Sequence, residues 1–196
     1  LLRRVPLVLA SCAAAVAILG FSISYFGNRR LQDSSVAALR GASGLRLTRG
    51  APPSIDDLRR LEVLGAKMDT VAQYERHGPP WRLEWGLYTG SSLFPALRRG
   101  YFEGFERLLF ATTRDSMVTE LTSLPDAPNG KADYGATYNT LKAYLITVIH
   151  PEKSTEAFLG PALMDHWSPG RTTDPARTDL ARRQFDRYAR ELPIEN

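Results

Sequence analysis

Few residues in this chain of 196 have types that could do chemistry: three histidines, one cysteine and scattered acidic pairs. His77 lies in a His-Gly-Pro-Pro turn and His150 directly precedes a proline, so both read as helix-terminal residues. A metal site combining His150, Glu152, Asp165 and His166 can be drawn. The adjacent Asp165 and His166, however, point in different directions on a helix. Glu103 and Glu106 form an i, i+3 acidic pair with Arg107 beside them. Catalytic carboxylates need a cleft and separated environments, whereas helical spacing next to a cation suits a solvated surface pair. Trp81, Trp85, Tyr88, Tyr101 and Phe102 would stack bases only beside a basic groove, and at helical spacing they read as core. The sequence has no phosphate-cradling G-x-x-x-x-G-K-[ST], no H-E-x-x-H and no G-x-S-x-G. The single Cys12 excludes a disulfide framework and any multi-cysteine metal centre, and it reads as a small apolar filler. No catalytic, cofactor-binding or metal-ligating residue is assigned, and the chain is expected not to be an enzyme.

Charge points the same way. The formal charge is +4 with pI near 9.4. Arg3, Arg4, Arg29 and Arg30 account for the whole excess, and the remainder from Leu31 onward is balanced. The basic residues flank an apolar segment and do not draw a phosphate-binding surface, so no nucleic-acid partner is expected. Between them, Val5 to Phe26 carries no charge. As a helix its 22 residues span ~33 Å, against a hydrocarbon core of ~30 Å. Tyr25 and Phe26 sit where aromatic rings favour the headgroup boundary, and Asn28 to Arg30 stop the run. The expectation is a transmembrane helix with flanks over residues 1–30, in contact with the bilayer through residues 5–26. A signal peptide would have a shorter apolar core and a small-residue cleavage site, and a buried soluble helix would show a polar face. The two arginine pairs balance, so they leave the orientation open. The chain starts at Leu1 and is expected to be a fragment or a processed product.

Residues 31–53 read as a linker, punctuated by Gly41, Ser43, Gly44, Gly50 and Pro52-Pro53, with any helix from Ser34 ending near Arg40. A helix starts at Ser54, with Asp57 completing an acidic capping box, and Leu58, Leu61, Leu64, Met68 and Val71 draw one apolar stripe. His77 to Pro80 ends it. Trp81 to Leu124 reads as helical with a breaker at Pro95, with Tyr101, Phe105, Leu108 and Leu109 inward and then Val118 and Leu121. Pro125 to Gly130 is a loop. A further helix over 134–149 is expected to turn Tyr138, Leu141, Tyr144, Leu145 and Val148 inward, and Ser154 to cap a short helix reaching Trp167. Asp174-Pro175 opens a last amphipathic helix. Leu180, Gln184, Phe185 and Tyr188 face one way on it; Arg182, Arg183, Arg187 and Arg190 form a solvated face. No strand pattern appears. The fold is therefore expected to be all-α: an N-terminal transmembrane helix, then a membrane-proximal helical bundle over 54–196.

Three segments resemble a known family. Trp85-Gly86-Leu87-Tyr88-Thr89-Gly90 is similar to its G-L-Y-x-G segment, followed by a tyrosine-containing helix, here with Tyr101. Tyr138-Asn139-Thr140-Leu141-Lys142-Ala143-Tyr144-Leu145 resembles its Y-x-x-L-K-x-Y-L, leading through Pro151 to Phe158-Leu159 and Trp167. Arg183-Gln184-Phe185-Asp186-Arg187-Tyr188 resembles a late R-Q-F-D-x-Y. In this order the segments resemble the IcmF-related (TssM) inner-membrane proteins of bacterial type VI secretion systems. The chain departs from that pattern at Phe110-Ala111, where a proline is frequent, and at Ile146 to Ile149. A related IcmF protein serves type IVB systems, and these residues do not separate the two.

The resemblance implies that Val5–Phe26 is the last membrane helix of a larger inner-membrane protein, with residues 31–196 in the periplasm. It also implies an inner-membrane partner subunit, an outer-membrane lipoprotein and self-association in an envelope-spanning complex for effector export. The nucleotide-binding-type domain would lie upstream and the lipoprotein-binding part downstream. Gly86 and Gly90 then read as points of close backbone approach, and Tyr88, Tyr101, Tyr138 and Tyr144 as buried rings whose hydroxyls need partners. Two other classes stand beside this one. A membrane-anchored ligand-binding or sensor domain would show a pocket with convergent polar groups. A membrane-anchored hydrolase would need a nucleophile–base pair, which the sequence does not supply.

Overall fold

The computed structural model describes residues 5–45, 52–85, 87–125, 134–167 and 174–195. Among them every regular element is helical. The first helix, α1 (Val5–Ser43), is a single rod of 39 residues. It is followed by α2 (Ile55–His77), a one-turn α3 (Trp81–Glu84) and α4 (Gly90–Phe105). A π turn over Glu106–Phe110 joins α4 to α5 (Ala111–Thr122). Then come α6 (Tyr134–Val148), α7 (Glu156–Trp167) and α8 (Pro175–Glu191). The outer half of α1 packs with α2, α3 and α4, while α5, α6 and α7 form a second group, and α8 lies against α2, α4 and α7. One continuous core joins the two groups.

The start of α2 follows from side-chain chemistry. Ser54, in extended backbone, accepts the Asp57 N–H at 3.0 Å and donates its own hydroxyl to the Asp57 carboxylate at 2.8 Å. Two groups are thereby satisfied at the helix end. Leu58, Leu61, Leu64, Met68 and Val71 are all fully buried, as the stripe predicts. Asp174 caps α8 by accepting the N–H groups of Ala176 and Arg177.

Several expectations change. The linker expected over residues 31–53 is helical as far as Ser43, with Leu31, Ala38, Ala42 and Leu45 in the core. Gly41 does not end the helix, because a glycine costs only about 1 kcal/mol there and the buried face continues through it. Residues 46–51, and with them Gly50, lie outside the described residues. Pro95 is not the breaker, since α4 runs through it, and the chain instead leaves the helix between Trp85 and Thr89. Beyond Leu109 the inward residues are Phe110, Thr113 and Met117; Val118 is exposed. The π turn accounts for this: one extra residue per turn brings Leu108, Leu109 and Phe110 all to the core.

On α6 the inward stripe is Thr140, Ala143 and Ile146, and Tyr138 is 65% exposed with Leu141 and Val148 beside it. The small residues face the core because α5 and α7 both pack closely there. Ser154 does not cap α7; its hydroxyl donates to the Ala189 carbonyl at 2.6 Å, tying this corner to α8. Arg187 leaves the solvated face and is 7% exposed, drawn inward by carboxylates on α2. The 126–130 loop lies outside the described residues.

Candidate functional site

The distinctive region is the junction where an apolar rod enters the bundle. Along α1, Gly20, Ser24, Asn28, Leu31, Ser35, Ala38 and Ala42 are buried at steps of three and four. This stripe is mostly small and polar, the composition that lets helices approach closely. Its first part receives α3 and the strand of chain after it. Ser24 Oγ donates to the Leu83 carbonyl at 3.2 Å, and Asn28 Nδ2 donates to the same oxygen at 3.2 Å. Asn28 Oδ1 accepts the Thr89 N–H at 3.2 Å. One carboxamide therefore satisfies both the end of α3 and the start of α4, backbone groups that no helix provides for. The indole of Trp85 lies on Gly20, where an added Cβ would come within 2.6 Å of it, and packs edge-on against Phe21 at 5.7 Å. Gly27 makes the same room for Leu83.

Over the first half of α1 the large apolar side chains face outward among the described residues. Val8, Leu9, Val16, Ile18, Leu19, Tyr25 and Phe26 are all more than half exposed, with Cys12 exposed among them. The most apolar window of this helix has a mean hydropathy of 2.0 and is only 11% buried. Such a surface suits hydrocarbon and not water.

Behind the junction, an ion cluster centred on the buried Arg187 fastens α8 to α2. The Arg187 guanidinium meets Glu62 Oε2 at 3.0 Å through Nη1 and Asp69 Oδ2 at 3.0 Å through Nε. Gln184 joins the cluster by donating to Glu62 and accepting from Arg187. Arg183 and Arg190 approach Glu62 and Asp69 from the solvent side. Burial pushes the Glu62 carboxyl upward, but the hydrogen bond and charge of Arg187, with Gln184 and Arg183, outweigh it and hold Glu62 below its ordinary value. Arg187 stays charged despite its burial because Glu62, Tyr101 and Asp69 surround it. The guanidinium also faces the ring of Tyr101, whose hydroxyl donates to the Gln184 carbonyl at 3.1 Å. Burial pushes that hydroxyl upward, so it remains a donor.

The candidates from the sequence fall into place separately. His150 contacts Glu152 at 3.2 Å on the surface, while His166 lies between Glu120 and Thr140. The drawn quartet is thus split, and among the described residues no group of three or more His, Cys, Asp or Glu is placed to hold a metal. Glu103 pairs with Arg107 at 2.9 Å, and Glu106 reaches Arg114 across the π turn at 3.2 Å. His77 contacts the Gln73 carbonyl at the end of α2. The five aromatics share no platform. Tyr101 and Phe102 are in the core cluster, Trp85 is on α1, and Trp81 is exposed beside Arg82. Tyr88 donates to Glu75 at 3.0 Å; Gly90 is buried against Tyr88, and Gly86 lies outside the described residues.

Sequence reasoning missed the convergence of Glu120, Thr140 and His166. The Thr140 hydroxyl lies 3.0 Å from His166 Nε2 and 2.9 Å from Glu120 Oε1, and His166 Nδ1 is 3.4 Å from Glu120 Oε2. All three border a cleft of about 370 Å³, and Glu120 and His166 also border a neighbouring one of about 610 Å³. No spacing in the sequence links residues on three helices. The α1 stripe, by contrast, has a signal in the sequence: Ser24 within the apolar run and Asn28 just beyond it, four residues apart.

A helical bundle continuous with an unburied apolar helix defines a class of candidate membrane-anchored helical proteins. Residues 54–196 match the family described as "IcmF-related: Intracellular multiplication and human macrophage-killing", and the chain belongs to that family, one of structural secretion-system components. No curated protein and no solved structure matches the chain.

Proposed function

We propose that this chain is a membrane-anchored structural subunit of a secretion-system membrane complex, of type VI or the related type IVB kind. Val5–Phe26 crosses the inner membrane, the bundle stands in the periplasm, and no catalytic step takes place in these residues. In this reading the partners are an inner-membrane subunit, an outer-membrane lipoprotein and further copies of the chain. The observation that carries the reading is α1 itself, bare and apolar over its first half and built into the core over its second. The exposed apolar stripe of Tyr138, Leu141 and Val148 on α6 supports assembly with other proteins. The domain organisation then becomes a span, a rigid stalk and a bundle, with residues 27–45 belonging to the bundle.

The test is extraction and accessibility of the full chain in bacterial membranes. The chain should resist alkaline carbonate and be released by detergent. A Val63→Cys variant, placed on the exposed side of α2, should react with a membrane-impermeant maleimide in intact spheroplasts while Cys12 does not. Carbonate release would remove the anchor, and labelling only after lysis would place the bundle in the cytoplasm. The Glu120–Thr140–His166 cleft favours a second reading, a membrane-anchored ligand-binding domain. A thermal-shift screen giving a ligand-dependent rise in the wild type and none in His166→Ala would support it.

A further inference from the structure

Beside the junction, α1, α2 and α3 enclose a groove of about 690 Å³. Its charged lining is cationic: Arg30 from α1, Lys67 from α2 and Arg82 from α3. Its apolar lining includes Ile23, Phe26, Leu31 and Leu83, with Tyr74 beside them. No acidic side chain lines it, and none of the three cations is in an ion pair among the described residues. Some exposed cations elsewhere have a carboxylate beside them, as in Arg29–Asp33 and Arg107–Glu103. Three like charges converging without counter-charge repel one another, so the groove is arranged for an anion.

Position along α1 identifies which anion. Arg30 is one turn beyond Phe26, the last residue of the apolar run, and so lies ~6 Å higher along the axis. The polar zone outside the hydrocarbon is about 5–7 Å deep on each side, which puts Arg30 at the level of lipid phosphates. The apolar side of the groove is continuous with the exposed lower face of α1, where Ile23 and Phe26 face outward.

We propose that this groove is a binding site for one anionic phospholipid of the leaflet where α1 leaves the bilayer. The phosphate sits among Arg30, Lys67 and Arg82, and an acyl chain lies along Ile23 and Phe26. The lipid fills the angle between the span and α3, bracing the junction that Asn28 and Trp85 hold from the other side. The inference rests on the reading of Val5–Phe26 as a membrane span.

The test uses the full chain in nanodiscs of equal phosphatidylglycerol and phosphatidylcholine, released into native mass spectrometry. One phosphatidylglycerol should remain bound after most other lipid is stripped. Each cation near an anionic surface contributes about a factor of five, so Arg30→Gln/Lys67→Gln/Arg82→Gln should weaken retention on the order of a hundredfold. Its circular dichroism melt should match the wild type, because none of the three is in an ion pair and the one ring contact, Arg82 over Trp81, is on the surface. Arg30→Lys/Arg82→Lys should keep most of the retention. Equal retention of both lipids by the wild type, or undiminished retention by the triple variant, would overturn the proposal. Displacement by millimolar inorganic phosphate would also overturn it, since that marks a free-anion site. Alkaline extraction of the same preparation separates the two readings. Release there defeats the span and the lipid site together, whereas a resistant chain without lipid preference defeats the site alone.

Discussion

Arg187 brings together two carboxylates, a carboxamide and a phenol ring from three helices. It reaches them because Gly65 on α2 has no side chain, and an added Cβ there would lie 2.5 Å from Arg187 Nη1. Arg187→Ala leaves Glu62 and Asp69 with only the solvent-side Arg183 and Arg190, each at 3.7 Å. With both carboxylates partly open to solvent, the expected loss is about 2–4 kcal/mol, near the lower end for broken buried pairs, read from the midpoint of urea unfolding. Arg187→Met combined with Glu62→Gln and Asp69→Asn should recover much of that loss, because the uncompensated charge is gone. The pH dependence follows from the lowered folded-state value of Glu62. Its contribution is complete above the ordinary glutamate value of 4.5 and disappears as pH falls below that, through the folded-state value. The stability gap between wild type and Glu62→Gln should therefore be constant near neutrality and close on acidification, measured by urea unfolding at successive pH values. An arginine at this position was not recognisable from the sequence. Its neighbours at 182, 183 and 190 are more solvated, and what sets Arg187 apart is carboxylates more than a hundred residues away.

At the scale of elements, legibility followed the evenness of the apolar stripe. In α2 the large aliphatic residues all lie on one face, so the period alone identifies the buried side. In α6 apolar residues occupy two faces, and the outward one carries the larger side chains, so size pointed the wrong way. The π turn had no advance signal, since Glu106–Phe110 reads as ordinary helix. The junction was half legible: the apolar run was plain, but the glycines beyond it suggested an end that the buried small-residue stripe overrides. That stripe gives the junction its own prediction. Asn28→Leu removes the amide that bridges the Leu83 carbonyl and the Thr89 N–H. It should cost ~1–3 kcal/mol locally and speed proteolytic cleavage between α2 and α4, with little change in the far helices.

For the whole molecule, the family match starts at Ser54 while the core starts earlier. A chain cut to begin at Ser54 loses Leu31, Ala38, Ala42 and Leu45 from the core. Each buried leucine alone contributes about 2 kcal/mol, so this truncation should be several kcal/mol less stable than one beginning at Gly27, as compared by thermal melts in detergent-free buffer. The same continuity has a mechanical meaning. From Gly27 to Ser43 the rod extends ~26 Å past the apolar run as uninterrupted helix. Transmembrane helices commonly lean by about 20°, and a change of ~10° in that lean would sweep the top of the rod sideways by ~4–5 Å. Under the proposed membrane span, unbroken helix leaves no hinge to absorb the swing, and the inclination taken in the lipid becomes the orientation of every surface the bundle presents.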